Sequence, residues 1–252
     1  MNIVILKSCF ITAVSALIAY GLRVVFRTDL FLPDVGGLGA FVTVFGTLYG
    51  IMAAFVVFEV WGQYNQTSKL VDQEALGLER LYRLTLYFRD NKLTKRMHEA
   101  IKKYAQFIIS DRFLHMGRGE HNKASSKAFR DIAGIIRDIS FDDDHDQTVF
   151  THVVEHYGQL STTRTERISQ SHIRLPVLLK FFLYSSSFVA LFTFIIMPFE
   201  TAVYGSFAAG SLAFVVGMIL QLVEDLDNPF VGHWNITTEP FVRALKHIEE
   251  DY

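Results

Sequence analysis

From Val35 to Phe58 the chain carries no charged side chain, and Asp34 and Glu59 bound that run. At about 1.5 Å of rise per residue, such a helix is long enough to cross a hydrocarbon layer about 30 Å thick. A stretch of this kind is confined to a bilayer or to the centre of a large core. The apolar pattern does not end at the acidic residue. Trp61 and Tyr64 supply an interfacial aromatic pair, and VDQEALGLERLYRLTLYF continues with helical periodicity. The spacing therefore predicts one long helix that leaves the membrane and opens a polar domain.

Within the apolar part, Phe41, Phe45, Leu48, Met52, Phe55 and Glu59 recur at alternating intervals of four and three, which places them on one face. Thr43, Thr47, Gly50 and Ala54 mark a second face, and Gly46 with Gly50 gives a spacing that lets another helix approach closely. Either face suits helix packing or the lining of a pathway.

Three further segments can cross a bilayer. Ile3–Phe26 is interrupted by Lys7 and Arg23, both near its ends, where long side chains reach the headgroups; it reads as an uncleaved anchor. Phe181–Phe199 and Thr201–Val223 form a hairpin closed by Pro198 and Glu200. In the latter span Gly205, Ala209, Ala213 and Gly217 recur every fourth position, a stripe for close helix packing. Half of the chain is hydrophobic, with 23 phenylalanines, as suits this assignment.

The expected fold is an all-α integral membrane protein with four transmembrane helices. Residues 1–60 hold the first two spans, 61–175 a helical cytoplasmic domain, 176–223 the last two spans, and 224–252 an acidic cytoplasmic segment. In the middle domain, Leu93–Leu114, a helix capped by Ser125 or Ser126, and a helix from about Asp146 are expected. The polar run STTRTERISQSHIR is either solvated or lines a hydrated vestibule. Basic residues outnumber acidic ones in 61–175, and the reverse holds in 224–252, so those two surfaces have charges suited to contact. The hairpin between spans three and four has no Lys or Arg, whereas Lys7, Lys69, Arg174, Lys180 and Arg243 lie on the domain side. That asymmetry places both termini and the domain in the cytoplasm, although Arg23 and Arg27 dissent.

Chemistry-bearing patterns are sparse. His152-Val153-Val154-Glu155-His156 matches the H-x-x-E-H zinc pattern without an obvious third ligand, so ordinary surface histidines are expected. Asp142, Asp143, Asp144 and Asp146 lack calcium-loop spacing and suit a helix start. The single cysteine, Cys9, excludes an intrachain disulfide. No P-loop, dinucleotide fingerprint or nucleophile elbow occurs, so no cofactor, metal or enzymatic activity is expected. A net charge of -2 gives no reason to invoke nucleic acid. Glu59, Glu224, Asp225 and Asp227 are expected at one membrane boundary, where carboxylates are hydrated, paired or ion-attracting.

The run GTLYGIMAAFVVFEVWGQYNQTSKLVDQEALGLERLYRL, the later TTRTERI ahead of LP, and LVEDLDNPFVGHWNIT together resemble the bacterial bestrophin-like family of membrane proteins. Trp61, Tyr64, Glu74, Ala75, Leu81 and Tyr82 carry most of the likeness, and Asp227, Pro229, Phe230 and Gly232 a shorter part. Bestrophins have four spans, cytoplasmic termini and a helical cytoplasmic domain, and assemble as pentameric ion channels whose second span lines an apolar neck. The resemblance thus implies a homo-oligomer that passes inorganic ions, with Phe41, Phe45 and Tyr49 in the neck; the alternative is a non-conducting membrane scaffold or signalling protein whose cytoplasmic domain binds a partner. Local motifs across the neck and the calcium-binding region depart from those of bestrophins. Calcium gating is therefore not carried over, and anion selectivity is one option only.

Overall fold

The computed structural model describes residues 2–26, 34–111, 113–117, 123–141 and 144–251. Among them the chain is all-helical: α1 Asn2–Phe26, α2 Val35–Leu86, α3 Asn91–Asp111, α4 Leu114–Gly117, α5 Lys123–Arg137, α6 Asp144–Gln170, α7 Val177–Ile196, α8 Ala202–Leu226 and α9 Glu239–Asp251. The long helix expected from the sequence is one unbroken element of 52 residues. Asp34 starts it, its carboxylate accepting the Gly37 N–H at 2.7 Å. Its end is a tight turn with Arg89 in the left-handed region (φ 57°), after which the Asp90 carboxylate accepts the N–H of Lys92 at 2.7 Å and caps α3.

The chain divides into two compact units: Met1–Gly62 with Arg174–Asp227, and Gln63–Ile173 with Asn228–Tyr252. In the first unit, α1, the start of α2, α7 and α8 are each long and apolar enough to cross a membrane. Their outward residues are apolar too: Leu6, Phe10 and Leu17 on α1 and Val177 on α7 are all about 70–80 % exposed. Hydrocarbon, rather than water, suits such a surface.

Close packing inside this unit is concentrated between α1 and α8. The stripe of small residues explains it. Ala209 and Ala213 are buried, and a Cβ on Gly210 or Gly217 would meet Ala16 and Thr12, or Ile11 and Ser8. Gln221 of α8 also donates to the Ser8 hydroxyl at 2.5 Å. Gly46 and Gly50 behave differently: a Cβ on either meets nothing within 4 Å, so the close approach expected there is not made within this chain.

Arg23 is buried at 8 % exposure. Its Nη2 donates to the carbonyls of Phe194 at 3.1 Å and Met197 at 3.4 Å, at the negative end of α7, and its guanidinium lies 5.2 Å from the Phe199 ring centre. It is a capping cation at the end of α7. Arg27 lies outside the described residues. Gly205 makes the room: a Cβ there would sit 2.7 Å from the Arg23 Cζ. We expect Gly205→Val to cost about 1–3 kcal/mol by overpacking and to lower the melting temperature in detergent. Gly21→Ala, at a position with open space, is expected to leave it unchanged or higher.

The second unit packs the rest of α2, with α3, α5, α6 and α9, around one core. Val71, Leu78 and Tyr82 meet Met97, Ile101 and Tyr104, with Ile132, Val153, Phe230, Phe241 and Ile248 completing it. Met97, Ile101, Tyr104 and Ile108 of α3, Phe129, Ile132 and Ile136 of α5, and Val149, Val153 and Leu160 of α6 recur at helical spacing and are buried. Three expectations require correction. α5 begins at Lys123, so Ser125 and Ser126 are buried inside its first turn rather than capping it. The polar half of α6 is not simply a wet face, because Arg167 is 2 % exposed. Finally, the segment after Asp227 is core: Phe230 and Phe241 pack on Phe113 at 5.1 and 6.2 Å between ring centres. The charge complementarity is realised at its margin, where Lys102 pairs with Glu249 at 2.7 Å.

Candidate functional site

The sequence pattern of α2 separates into two neighbouring faces. Tyr49, Ala53, Val56 and Val60 are buried at 9 % exposure or less. Tyr49 shares a 2.9 Å hydrogen bond with the Ser187 hydroxyl of α7. It therefore belongs to the packed face, which corrects its placement with Phe41 and Phe45 in a neck. The Phe41–Glu59 face is only partly covered by the chain's own helices. Phe41, Leu48 and Phe55 are 46 %, 62 % and 59 % exposed; Phe45 and Met52 are half-buried, and Glu59 is exposed. The Phe41 and Phe45 rings stack with centres 5.4 Å apart. Behind them lies an apolar crevice of about 110 Å³, bounded by Tyr49, Thr193, Phe194 and Leu212.

The four acidic candidates have different environments. Asp227 is 5 % exposed and accepts the Leu175 N–H at 2.5 Å and the Lys180 ammonium at 2.6 Å. It locks the end of α8 to the start of α7. With both oxygens engaged it is structural, which removes it from the ion-attracting set. Glu224 is exposed and accepts the Tyr184 hydroxyl. Asp225 is half-buried.

His152 is exposed, whereas His156 is half-buried in a groove with Gln73, Arg80 and Gln159. Burial, and then the Arg80 cation, lower its pKa. Among the described residues no three His, Cys, Asp or Glu side chains converge as metal ligands. Asp144 and Asp146 occupy the first turn of α6, where the helix dipole favours them; Asp142 and Asp143 lie outside the described residues.

The sequence reading missed a buried polar network in the second unit. Glu74 is fully buried and holds Arg167 through both carboxylate oxygens, one of which also accepts the Tyr104 hydroxyl. Arg164 donates to the Tyr104 oxygen at 3.1 Å and to Ser126 Oγ at 2.8 Å. Burial, the largest single influence, opposes the Arg167 charge, but Glu74 and Tyr104 together outweigh it and the pKa is raised. Burial and Glu74 raise that of Tyr104, so its hydroxyl stays a donor. A signal existed: Glu74 interrupts the apolar periodicity of Val71, Ala75 and Leu78 at a core position.

Comparison with known proteins bears on the whole chain. The family described as Bestrophin-like domain matches residues 9–241. Among curated proteins, none is similar enough to match. A crystal structure of a singly substituted bacterial bestrophin homologue from Klebsiella pneumoniae aligns with a TM-score of 0.73 and 11% identity, over 96% of this chain and 99% of that one. Another structure of a homologue from that organism, phased on zinc, aligns with a TM-score of 0.70 and 9% identity, over 96% of this chain and 97% of that one. At such identities the likeness is one of fold.

Proposed function

Because this chain belongs to the bestrophin-like family, we propose that it is an oligomeric ion channel of the bacterial inner membrane, with a central pore lined by the Phe41–Glu59 face of α2. One observation supports the reading: Phe41, Leu48 and Phe55 are exposed, as Val44, Ile51 and Phe58 elsewhere on the helix are, but it is their stripe that runs on to the exposed carboxylate of Glu59. Several copies arranged about an axis would bring Phe41, Phe45, Leu48, Met52 and Phe55 into an apolar constriction, with Glu59 hydrated at its mouth. The crevice behind Phe45 supplies space into which its ring can withdraw. By the family resemblance the assembly is a pentamer, with termini and second unit in the cytoplasm.

The test is electrical. In a Cys9→Ser background, the purified protein is expected to conduct in planar bilayers. A charged thiol reagent should block Leu48→Cys and Phe55→Cys channels and leave Ala53→Cys channels unaffected. Folded, oligomeric protein that stays electrically silent would instead support a membrane scaffold. Block at Ala53 but not at Leu48 would place the pore on another face.

A further inference from the structure

We propose that a small cavity in the second unit is a binding site for inorganic phosphate, with Arg164 as its cation and Asp111 as its discriminating acceptor. The assignment is independent of the channel reading. The cavity holds about 40 Å³ and is lined by Asp111, Ser125, Ser126, Arg164, Arg167 and Ser171. A single water needs about 10–15 Å³ measured in this way, so the space suits a tetrahedral oxyanion and excludes a nucleotide.

Two cations and one carboxylate line it. Arg167 is committed to Glu74, and Asp111, in contact with His115, shares the wall with Arg164. Arg164 has only neutral partners among the described residues: the Tyr104 oxygen, Ser126 Oγ and the Phe129 ring, 5.0 Å from the guanidinium. A guanidinium has five N–H donors, and these contacts use two. Arg164 is half-buried, and its remaining N–H donors suit the oxygens of an anion in the cavity. The first turn of α5, carrying Ser125 and Ser126, forms part of the wall and adds the positive end of a 15-residue helix dipole.

Asp111 decides which anion. A carboxylate on the wall repels chloride and sulfate, which carry no proton at neutral pH. Phosphate retains at least one O–H, which donates to Asp111 while the remaining oxygens accept from Arg164. The arrangement therefore selects a protonated oxyanion.

The experiment uses the full-length protein in detergent at fixed ionic strength and neutral pH. Inorganic phosphate is expected to raise the melting temperature saturably, by about 2–4 °C, and sulfate to have no such effect. Asp111→Asn should let sulfate act as phosphate does, and Arg164→Gln should abolish the response to both. Equal responses to phosphate and sulfate in the wild type, or a phosphate response that survives Arg164→Gln, overturns the site. Should Arg164→Gln not fold, labelled phosphate in equilibrium dialysis of the wild type decides. About one phosphate per chain, displaced by unlabelled phosphate and lost in the cavity-filling variant Ile168→Phe, supports the site. Absence of binding, or displacement by sulfate or by a phosphate monoester, overturns it.

Discussion

Glu74→Leu is expected to destabilise the second unit by about 3–5 kcal/mol, because it leaves the Arg167 charge in the core without a partner. Arg167 lies at 2 % exposure, so water cannot replace the lost carboxylate. Its other contacts, the Met116 sulfur at 2.6 Å and the face of Phe113 at 5.3 Å, offer little compensation. Arg167→Leu should be comparably harmful, since Glu74 then keeps only the Tyr104 hydroxyl. The double replacement Glu74→Leu with Arg167→Leu removes both charges and should recover most of the loss. Urea unfolding of the purified protein measures all three. Single variants as stable as the wild type would mean that the pair is not formed.

This network also shows where a sequence reading stops. The apolar periodicities of α2, α3, α5 and α6 were legible because a core face repeats every three to four residues. Met97, Ile101, Tyr104, Phe129 and Ile132 are all buried as that spacing requires. Arg164 and Arg167 were not legible, because the same letters serve a solvated helix. Only a partner 93 residues away in the chain, Glu74, turns Arg167 into a core residue. A long-range ion pair leaves no local period.

The membrane unit divides in the same way. The α8 stripe was legible as a packing surface, and it packs on α1. Gly46 and Gly50 have an equivalent spacing but meet nothing within this chain, since spacing records an opportunity rather than a partner. Tyr49 was drawn into the neck because i, i+4 and i+8 drift steadily round a helix. Two such steps carry its side chain about 80° from Phe41, onto the face that meets Ser187. The D-x-x-PF-x-G element was visible only as a family signature, yet each member has a physical task. Asp227 holds Leu175 and Lys180, the Pro229 carbonyl accepts the Ile236 N–H at 2.8 Å, Phe230 enters the core, and Gly232 adopts φ 123°.

Phe45→Ala and Glu59→Gln are expected to change permeation in separate ways. Phe45 stacks on Phe41 and is flanked by the apolar crevice, so its truncation adds space on the stripe without disturbing a hydrogen bond. An apolar constriction resists ions because it sheds water. Widening it should therefore raise single-channel conductance or open probability several-fold, with little change in selectivity. Glu59 acts through charge. Replacing it by the isosteric amide removes one negative charge per subunit from the mouth and should lower the cation-to-anion permeability ratio, read as a shift in reversal potential. The shift should be larger at low salt than at high salt, because screening acts over about 10 Å at 0.1 M. Tyr49→Phe supplies the contrast: it loses the bond to Ser187 on the packed face, so stability should fall slightly while selectivity holds. A selectivity change with Tyr49→Phe but none with Glu59→Gln would turn the helix the other way round. Currents indifferent to all three substitutions would remove α2 from the conduction path.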